Sequence, residues 1–392
     1  MNFARKEFYE QHKNLFCWYD ADDYACYDVL TVSPKTIEKI KQAAANVWPI
    51  LLQAADLMKS LDNETLLEFD YPLETLHLIK NSTQPPFIAR CDFAVTNDNI
   101  FLLECNAEVA TFIVETFKVN GIVANHFGKK DPNEESENIL RTELNRYIRI
   151  AAAYLGKLPE QCHIIFSALS QADEDIGTVE YVRSLCEYQS AYCPIESITM
   201  DEEYVYDQVD RKVDIIYRLY PTEWMVEDKD PNLDVSLWDY LEPLIDSKKV
   251  ALINPISSFV IQNKALMALI TEVGLDYFGK NNATGYSHFI PTFLDESEIS
   301  YPFVSKPTWG REGKEVAIFK KPGDMINNPS PDYSELMKIY QQYVDLPLIN
   351  LEEDTYTLQL SCFLINGIPT GVGARIGKDL ITNTSKFLPI GY

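Results

Sequence analysis

The chain is poor in the residues that zinc centres and covalent nucleophiles need. Its 392 residues include five histidines, none in zinc-type spacing, and eight scattered cysteines with no CxxC pair. A zinc site has little to be built from, and isolated thiols of this kind are expected to be buried and free in a reducing cytoplasm. Positive charge is also scarce. Lys and Arg number 34 against 59 Asp and Glu, for a net charge of −25. That balance excludes an extended nucleic-acid surface, but a nucleotide needs only a few local cations. No apolar run approaches the ~18–20 residues of a membrane helix. The start, MNFARKEFYEQHK, lacks the apolar core of a signal peptide, so a cytoplasmic location is expected. There is no internal repeat, no low-complexity segment and no GxxxxGK[ST] loop. The run Gly371-Val372-Gly373-Ala374-Arg375-Ile376-Gly377 mimics a dinucleotide fingerprint. It lies inside a hairpin strand, and no obvious helix follows it.

What is present is enough apolar sequence, 46%, to build two or three lobes. The most informative stretch is Arg90 to Asn106, RCDFAVTNDNIFLLECN. It reads as two strands around a turn at Asn97-Asp98-Asn99. With Asp98 at the centre, Asp92 faces Glu104 and Arg90 faces Asn106, all on one face of the hairpin. Two carboxylates opposite each other repel. A cation between them removes the conflict, and two acids plus an amide oxygen suit Mg²⁺ with a phosphate completing its shell. Arg90 would then hold the phosphate or a developing negative charge. The alternative is an ordinary exposed hairpin face, and a bulge would break the register.

Other segments set the frame. Ser33-Pro34 opens a helix whose apolar positions run from Ile37 to Met58, with Pro49 expected to kink or divide it. Glu137–Leu155 reads as a second helix. His163–Ser167, Asp214–Tyr220 and Val250–Ile253 read as buried strands. Glu174 and Asp175 precede a helix after the first of these, where the helix dipole favours acids or where they bind a cationic amine. Tyr220-Pro221-Thr222-Glu223-Trp224 lies at a strand end, a common ligand position in α/β sheets. Strands at 302–307 and 315–320 flank Thr308-Trp309-Gly310-Arg311-Glu312-Gly313. That loop either closes over a triphosphate behind Lys306 or is a plain turn with Arg311 and Glu312 in solvent. Residues 321–332 read as loop, Tyr333–Tyr340 as a helix, 355–365 and 368–376 as a hairpin through Asn366-Gly367, and Leu380–Asn383 as a final strand.

Five segments, RCDF…LLECNAE, YPTEW, SKPTWGREGKEV, YQQYVDLP and GVGARIGKDLITN, occur in this order over about residues 15–390. In these the chain resembles the glutathionylspermidine synthase family, whose synthetase domain is of the ATP-grasp type, and it resembles that domain standing alone, without the amidase domain some members carry ahead of it. The resemblance implies an α/β fold with an α+β ATP-grasp part. This would comprise an N-terminal region with the metal hairpin (1–160), an α/β pre-ATP-grasp region (161–255), a lid lobe (256–330) and a C-terminal lobe (331–392). It implies ATP and Mg²⁺ as cofactors. Asp92, Glu104 and Asn106 match metal ligands, and Arg90 an active-site arginine. Lys264 and Lys306 match phosphate-binding lysines, and Gly313 falls in the loop over the triphosphate. Gln341, Gln342, Tyr343 and Val344 match the hinge that reads adenine, and Leu380 the adenine pocket. Arg375 matches the arginine beside the transferred phosphoryl, and Glu174 and Asp175 an acidic substrate pair. Val109 departs from the family, which carries a small hydroxyl residue there. An acidic residue linked to the polyamine is also missing near Lys386-Phe387.

The expected activity is ligation of a small-molecule or peptide carboxylate to an amine through an acyl phosphate, with Arg90 and Arg375 as the catalytic cations. Two rivals stay open. One is a nucleotide-binding regulator without ligase activity; the other is a metal-dependent phosphohydrolase built on Asp92 and Glu104.

Overall fold

A computed structural model describes residues 3–96, 99–230, 234–351 and 353–392. Asn97 and Asp98, of the turn expected at Asn97-Asp98-Asn99, lie outside the described residues.

The elements that position the site are, in chain order, helix α1 (Pro34–Ser60) and strands β1 (Ile88–Val95) and β2 (Ile100–Asn106); helix α2 (Ser136–Tyr154); strand β3 (Ile164–Ser167), helix α3 (Asp173–Ser184) and strand β4 (Ser190–Tyr192); strand β5 (Ile215–Arg218), helix α4 (Thr222–Glu227) and strand β6 (Ala251–Ile253); helix α5 (Ala265–Phe278); strands β7 (Thr292–Phe293), β8 (Phe303–Pro307), β9 (Ala317–Lys321), β10 (Asp324–Asn327) and β11 (Lys338–Gln342); and strands β12 (Leu348–Leu351), β13 (Asp354–Ile365), β14 (Ile368–Gly377) and β15 (Lys386–Phe387).

They form three main sheets. Six strands make an antiparallel sheet in the order β15-β14-β13-β1-β2, with β12 also paired to β13. Four make a parallel sheet, β6-β5-β3-β4. Five make a second antiparallel sheet, β7-β11-β8-β9-β10. The mixture is the α/β plus antiparallel architecture expected from the sequence.

Helix α1 starts as expected, with the Ser33 side chain accepting from Thr36 N and Pro34 in the first turn. Pro49 does not divide it. Val47, Trp48, Ile50 and Leu51 are all buried around the proline. Burying such side chains at ~1.5–3 kcal/mol each exceeds the ~3 kcal/mol cost of an interior proline. The sheet face beneath α1 carries Cys91, Cys105 and Cys362, side by side on β1, β2 and β13 and buried in the same core. Strand alternation therefore sends their neighbours Arg90, Asp92, Glu104 and Asn106 to the other face.

Four sequence expectations are corrected. Residues 333–340 are not a helix: a short turn at Pro331–Tyr333 precedes strand β11, which is central in its sheet. Pairing to both β7 and β8 overrides local helix propensity. Residues 321–332 include strand β10. Leu380–Asn383 is not a strand, because the chain folds back until the Leu380 carbonyl lies against Gly377. The β1–β2 hairpin contains a bulge: Asp92 opposes Glu104, but Phe93 opposes Leu102. The pairs from Val95–Ile100 to Phe93–Leu102 are offset by one from the expected register, and the extra residue, Leu103, restores the Asp92–Glu104 and Arg90–Asn106 pairs. Asn366 and Gly367 both have positive φ, 51° and 79°, as the two-residue turn between β13 and β14 requires.

Candidate active site

One sheet face gathers the hairpin residues. Arg90 Nε donates to Asp92 Oδ1 at 2.8 Å and Nη2 to Oδ2 at 2.9 Å. Asn106 Nδ2 donates to Asp92 Oδ2 at 3.2 Å and to Glu104 Oε1 at 3.4 Å. Asp92 pairs with Ser361, and Gln359 with Arg375, so alternation places Arg375 on this same face. Burial pushes the Asp92 carboxyl up, and the Arg90 fork offsets this only in part. Glu104 behaves oppositely. Burial opposes its ionisation, but Lys264, Lys306, Arg90 and Asn106 bring it down to about 2.

The facing wall comes from the second antiparallel sheet. Val304 and Lys306 project from β8 on the side shared with Gln341 and Ile339 of β11. Lys306 Nζ donates to Gln341 Oε1 at 2.8 Å and to Leu103 O, beside the bulge, at 3.1 Å. Burial lowers Lys306, and the nearby Glu104 and Lys264 act in opposite senses, leaving it at about 8. Lys264, just ahead of α5, lies 3.5 Å from Glu104 and donates to Gly310 O at 2.6 Å. Between the walls lies a cavity of about 660 Å³, within the usual range for small-molecule sites. Arg90, Asp92, Glu104, Asn106, Asp175, Lys264, Lys306, Gly313, residues 341–344, Arg375 and Leu380 all line it. Gly313 has φ +67°, and any Cβ there would strike the Ile381 carbonyl, so this loop can approach the C-terminal segment only with glycine.

Glu174 is the expected site residue that the cavity wall does not include. It lies in the first turn of α3 and senses Glu115, Asp175 and Arg375. Burial first, then Glu115 and Asp175, push it up to about 8, while burial and Glu312 push Asp175 to about 6. Between about pH 4.5 and 8 the unfolded chain has lost the Glu174 proton and the folded chain retains it. Stability from this group is therefore lost as pH rises through that window. Glu174→Gln does not titrate, so its advantage in Tm over the parent chain should be larger at pH 9 than at pH 5.5. A difference independent of pH would refute the assignment.

Several residues escaped the sequence reading. Glu115 sits on a π-helical turn, fully buried, taking hydrogen bonds from Trp18 Nε1 (2.8 Å) and Tyr24 OH (3.0 Å). Its Oε2 has no partner among the described residues. Glu108 anchors a buried charge network. Its Oε1 accepts from Arg218 Nη2 at 2.8 Å and Thr222 N at 2.9 Å, and its Oε2 lies 3.5 Å from Arg311. Arg311 also pairs with Glu223 at 2.6 Å. The solvated Arg311 considered from sequence is thus replaced by a buried ion pair that ties loop 308–313 to α4. Asn254 and Gln262 complete the frame. Asn254 Oδ1 accepts from Phe87 N and Ile88 N, and Gln262 Oε1 from Ala107 N and Glu108 N. The one available signal was the proximity of Glu108 to Asn106 in sequence; the partners are too remote to read locally.

The donor chemistry suits Mg²⁺ and a nucleotide. Two acids and an amide converge, with Lys264 and Lys306 beside them, which is a hard-oxygen set flanked by phosphate-sized cations. Asn106 Oδ1 now accepts from Gln262 Nε2 at 3.3 Å; rotating the amide would turn that oxygen toward the two carboxylates.

Comparison with known proteins gives a consistent result. The profile described as glutathionylspermidine synthase preATP-grasp matches residues 5–391. A Haemophilus influenzae protein with the provisional name acid–amine ligase is 22% identical over 371 residues, covering 90% of this chain and 86% of its own. A glutathione synthetase-like effector from Globodera pallida, solved in its apo form, aligns with a TM-score of 0.60 at 12% identity, over 99% of this chain and 97% of that one. Among the described residues no helix is long and apolar enough to cross a membrane. With sheets, cavity and a near full-length match in agreement, the chain belongs to the glutathionylspermidine synthase preATP-grasp family.

Proposed function

We propose that the protein is an ATP-dependent acid–amine ligase. The observation that carries this is a single cavity holding two lysines, a two-acid-plus-amide cluster and Arg375 at once. The provisional name of the Haemophilus influenzae relative points the same way.

Lys306 and Lys264 would bind the nucleotide phosphates, with residues 341–344 and Leu380 around the base. Asp92, Glu104 and Asn106 would hold Mg²⁺, which when bound neutralises charge on the phosphate oxygens. Arg375 offers its guanidinium to the substrate carboxylate during activation, and its buried Nε has no partner among the described residues. Arg90 has a narrower part. Of its five N–H groups, one each on Nε, Nη1 and Nη2 serve Asp92 and Thr111 O. It holds Asp92 in place and keeps one N–H on each terminal nitrogen for an oxyanion. Asp175, with Glu174 next to it, would seat the amine and take up its proton. The frame fixes these groups before reaction, as in other phosphoryl transfers.

The test is ADP release that requires both an acid and an amine, with an amide as product. ADP release without an acceptor would favour a phosphohydrolase; nucleotide binding without turnover across a broad panel would favour a regulator, a reading motivated by Val109. Glu104→Gln should raise the Mg²⁺ needed for half-maximal nucleotide binding by at least the ~10–100-fold seen when outer-shell partners are lost. An unchanged Mg²⁺ requirement would remove Glu104 from the ligand set.

A further inference from the structure

Four apolar side chains remote in sequence from the hinge line the cavity. Leu219 and Pro221 follow β5, Trp224 stands on α4, and Val109 follows β2; all four line the cavity. Trp224 remains 36% exposed, although Met225 and Val226 beside it are buried, and it meets Tyr220 edge-on at 5.7 Å. It is apolar surface presented to a ligand-sized space, at the carboxyl end of a parallel strand where ligands gather.

Two guanidinium groups next to this wall are already paired with carboxylates. Arg218 is held by Glu108, and Arg311 by Glu223 and Glu108. Asp175 and Glu312 line the same cavity, and the charge of Glu312 reaches Asp175. With Arg90 and Arg375 taken up by the reacting carboxylate, a second carboxylate on the substrate would meet these acids and find Arg218 and Arg311 already paired. A neutral apolar group would cover Val109 and Trp224 without leaving a buried polar atom unsatisfied.

We propose, resting on the ligase reading above, that the acid substrate is a monocarboxylate carrying a neutral apolar or aromatic group next to the reacting carboxylate, seated on Val109, Leu219, Pro221 and Trp224. The activation step would transfer the γ-phosphoryl of ATP to a carboxylate oxygen and release ADP. An amine nitrogen then forms the C–N bond, the C–O bond to phosphate breaks, and the nitrogen's proton passes to Asp175 or to solvent.

Binding and turnover test this separately. Calorimetry with the full chain, Mg²⁺ and a non-hydrolysable ATP analogue would compare N-acetylglycine, N-acetylleucine, N-acetylphenylalanine and N-acetylaspartate. The leucine and phenylalanine acids should bind ~10–200-fold more tightly than the glycine acid, the range for apolar-pocket discrimination. The aspartate acid should bind more weakly than the glycine acid. Trp224→Ala should bring the leucine-to-glycine affinity ratio close to one, and Val109→Ser should lower it. Equal affinities, preference for the aspartate acid, no binding of any acid, or a ratio unmoved by Trp224→Ala would each overturn the assignment. In parallel, hydroxylamine as the amine would trap activated acid as a hydroxamate with release of ADP and phosphate. Selective binding without hydroxamate overturns the ligase reading and leaves the pocket standing. Hydroxamate formed equally from the leucine and aspartate acids does the reverse.

Discussion

Arg375→Ala should bind ADP as the parent chain does and turn over ~10²–10³-fold more slowly, the usual cost of removing one preorganised charge at a developing anion. The residue is placed for that result. It projects from β14 on the face of Asp92 and contributes its charge to Asp92, Glu115 and Glu174. Its direct hydrogen bond, Nη2 to Thr382 O at 2.8 Å, fixes the side chain without engaging any of these acids. Lys306, which would grip the nucleotide, is held by Gln341 and Leu103 rather than by Arg375. Arg375→Lys should recover only part of the rate, because a point charge lacks the planar fork that spans two oxygens. The measurement is single-turnover ADP formation beside equilibrium ADP binding. Parent-like ADP release from Arg375→Ala with competent substrates would remove Arg375 from the reaction.

The second large effect concerns stability. Glu108→Ala should cost ~3–5 kcal/mol, because it leaves the Arg218 guanidinium buried without its counter-charge. Arg218 and Glu108 are both completely buried in their side chains and lie 2.8 Å apart. The loss should be visible as a lower denaturant midpoint at unchanged slope. It should also loosen loop 308–313, since Arg311 would keep Glu223 but lose Glu108. Replacing both partners by apolar residues, Glu108→Leu with Arg218→Met, should recover most of the stability, because two desolvated charges are then removed together. A Glu108→Ala chain within ~1 kcal/mol of the parent would mean the network carries little of the fold.

The two halves of the site differed in how readily they could be read. Asp92 and Glu104, with Arg90 and Asn106, were legible because strand side chains alternate with period two and a hairpin brings near neighbours face to face. The same short range hid the bulge at Leu103. Residues 333–340 misled because local propensity says nothing about a strand's neighbours, and β11 takes its conformation from β7 and β8 on either side.

The sequence by itself determined which hairpin residues face each other, the buried helix from Pro34, the Asn366-Gly367 turn and, through five ordered motifs, the family. Each of these depends on residues close together in the chain or on a pattern of segments. Only the tertiary structure decided that Lys264, Lys306, Arg375 and the hairpin share one cavity, and that Glu108 meets Arg218 and Arg311 across 110 and 203 residues. Such pairs are selected by the packing of whole sheets, because a buried charge must find its partner wherever the fold brings one.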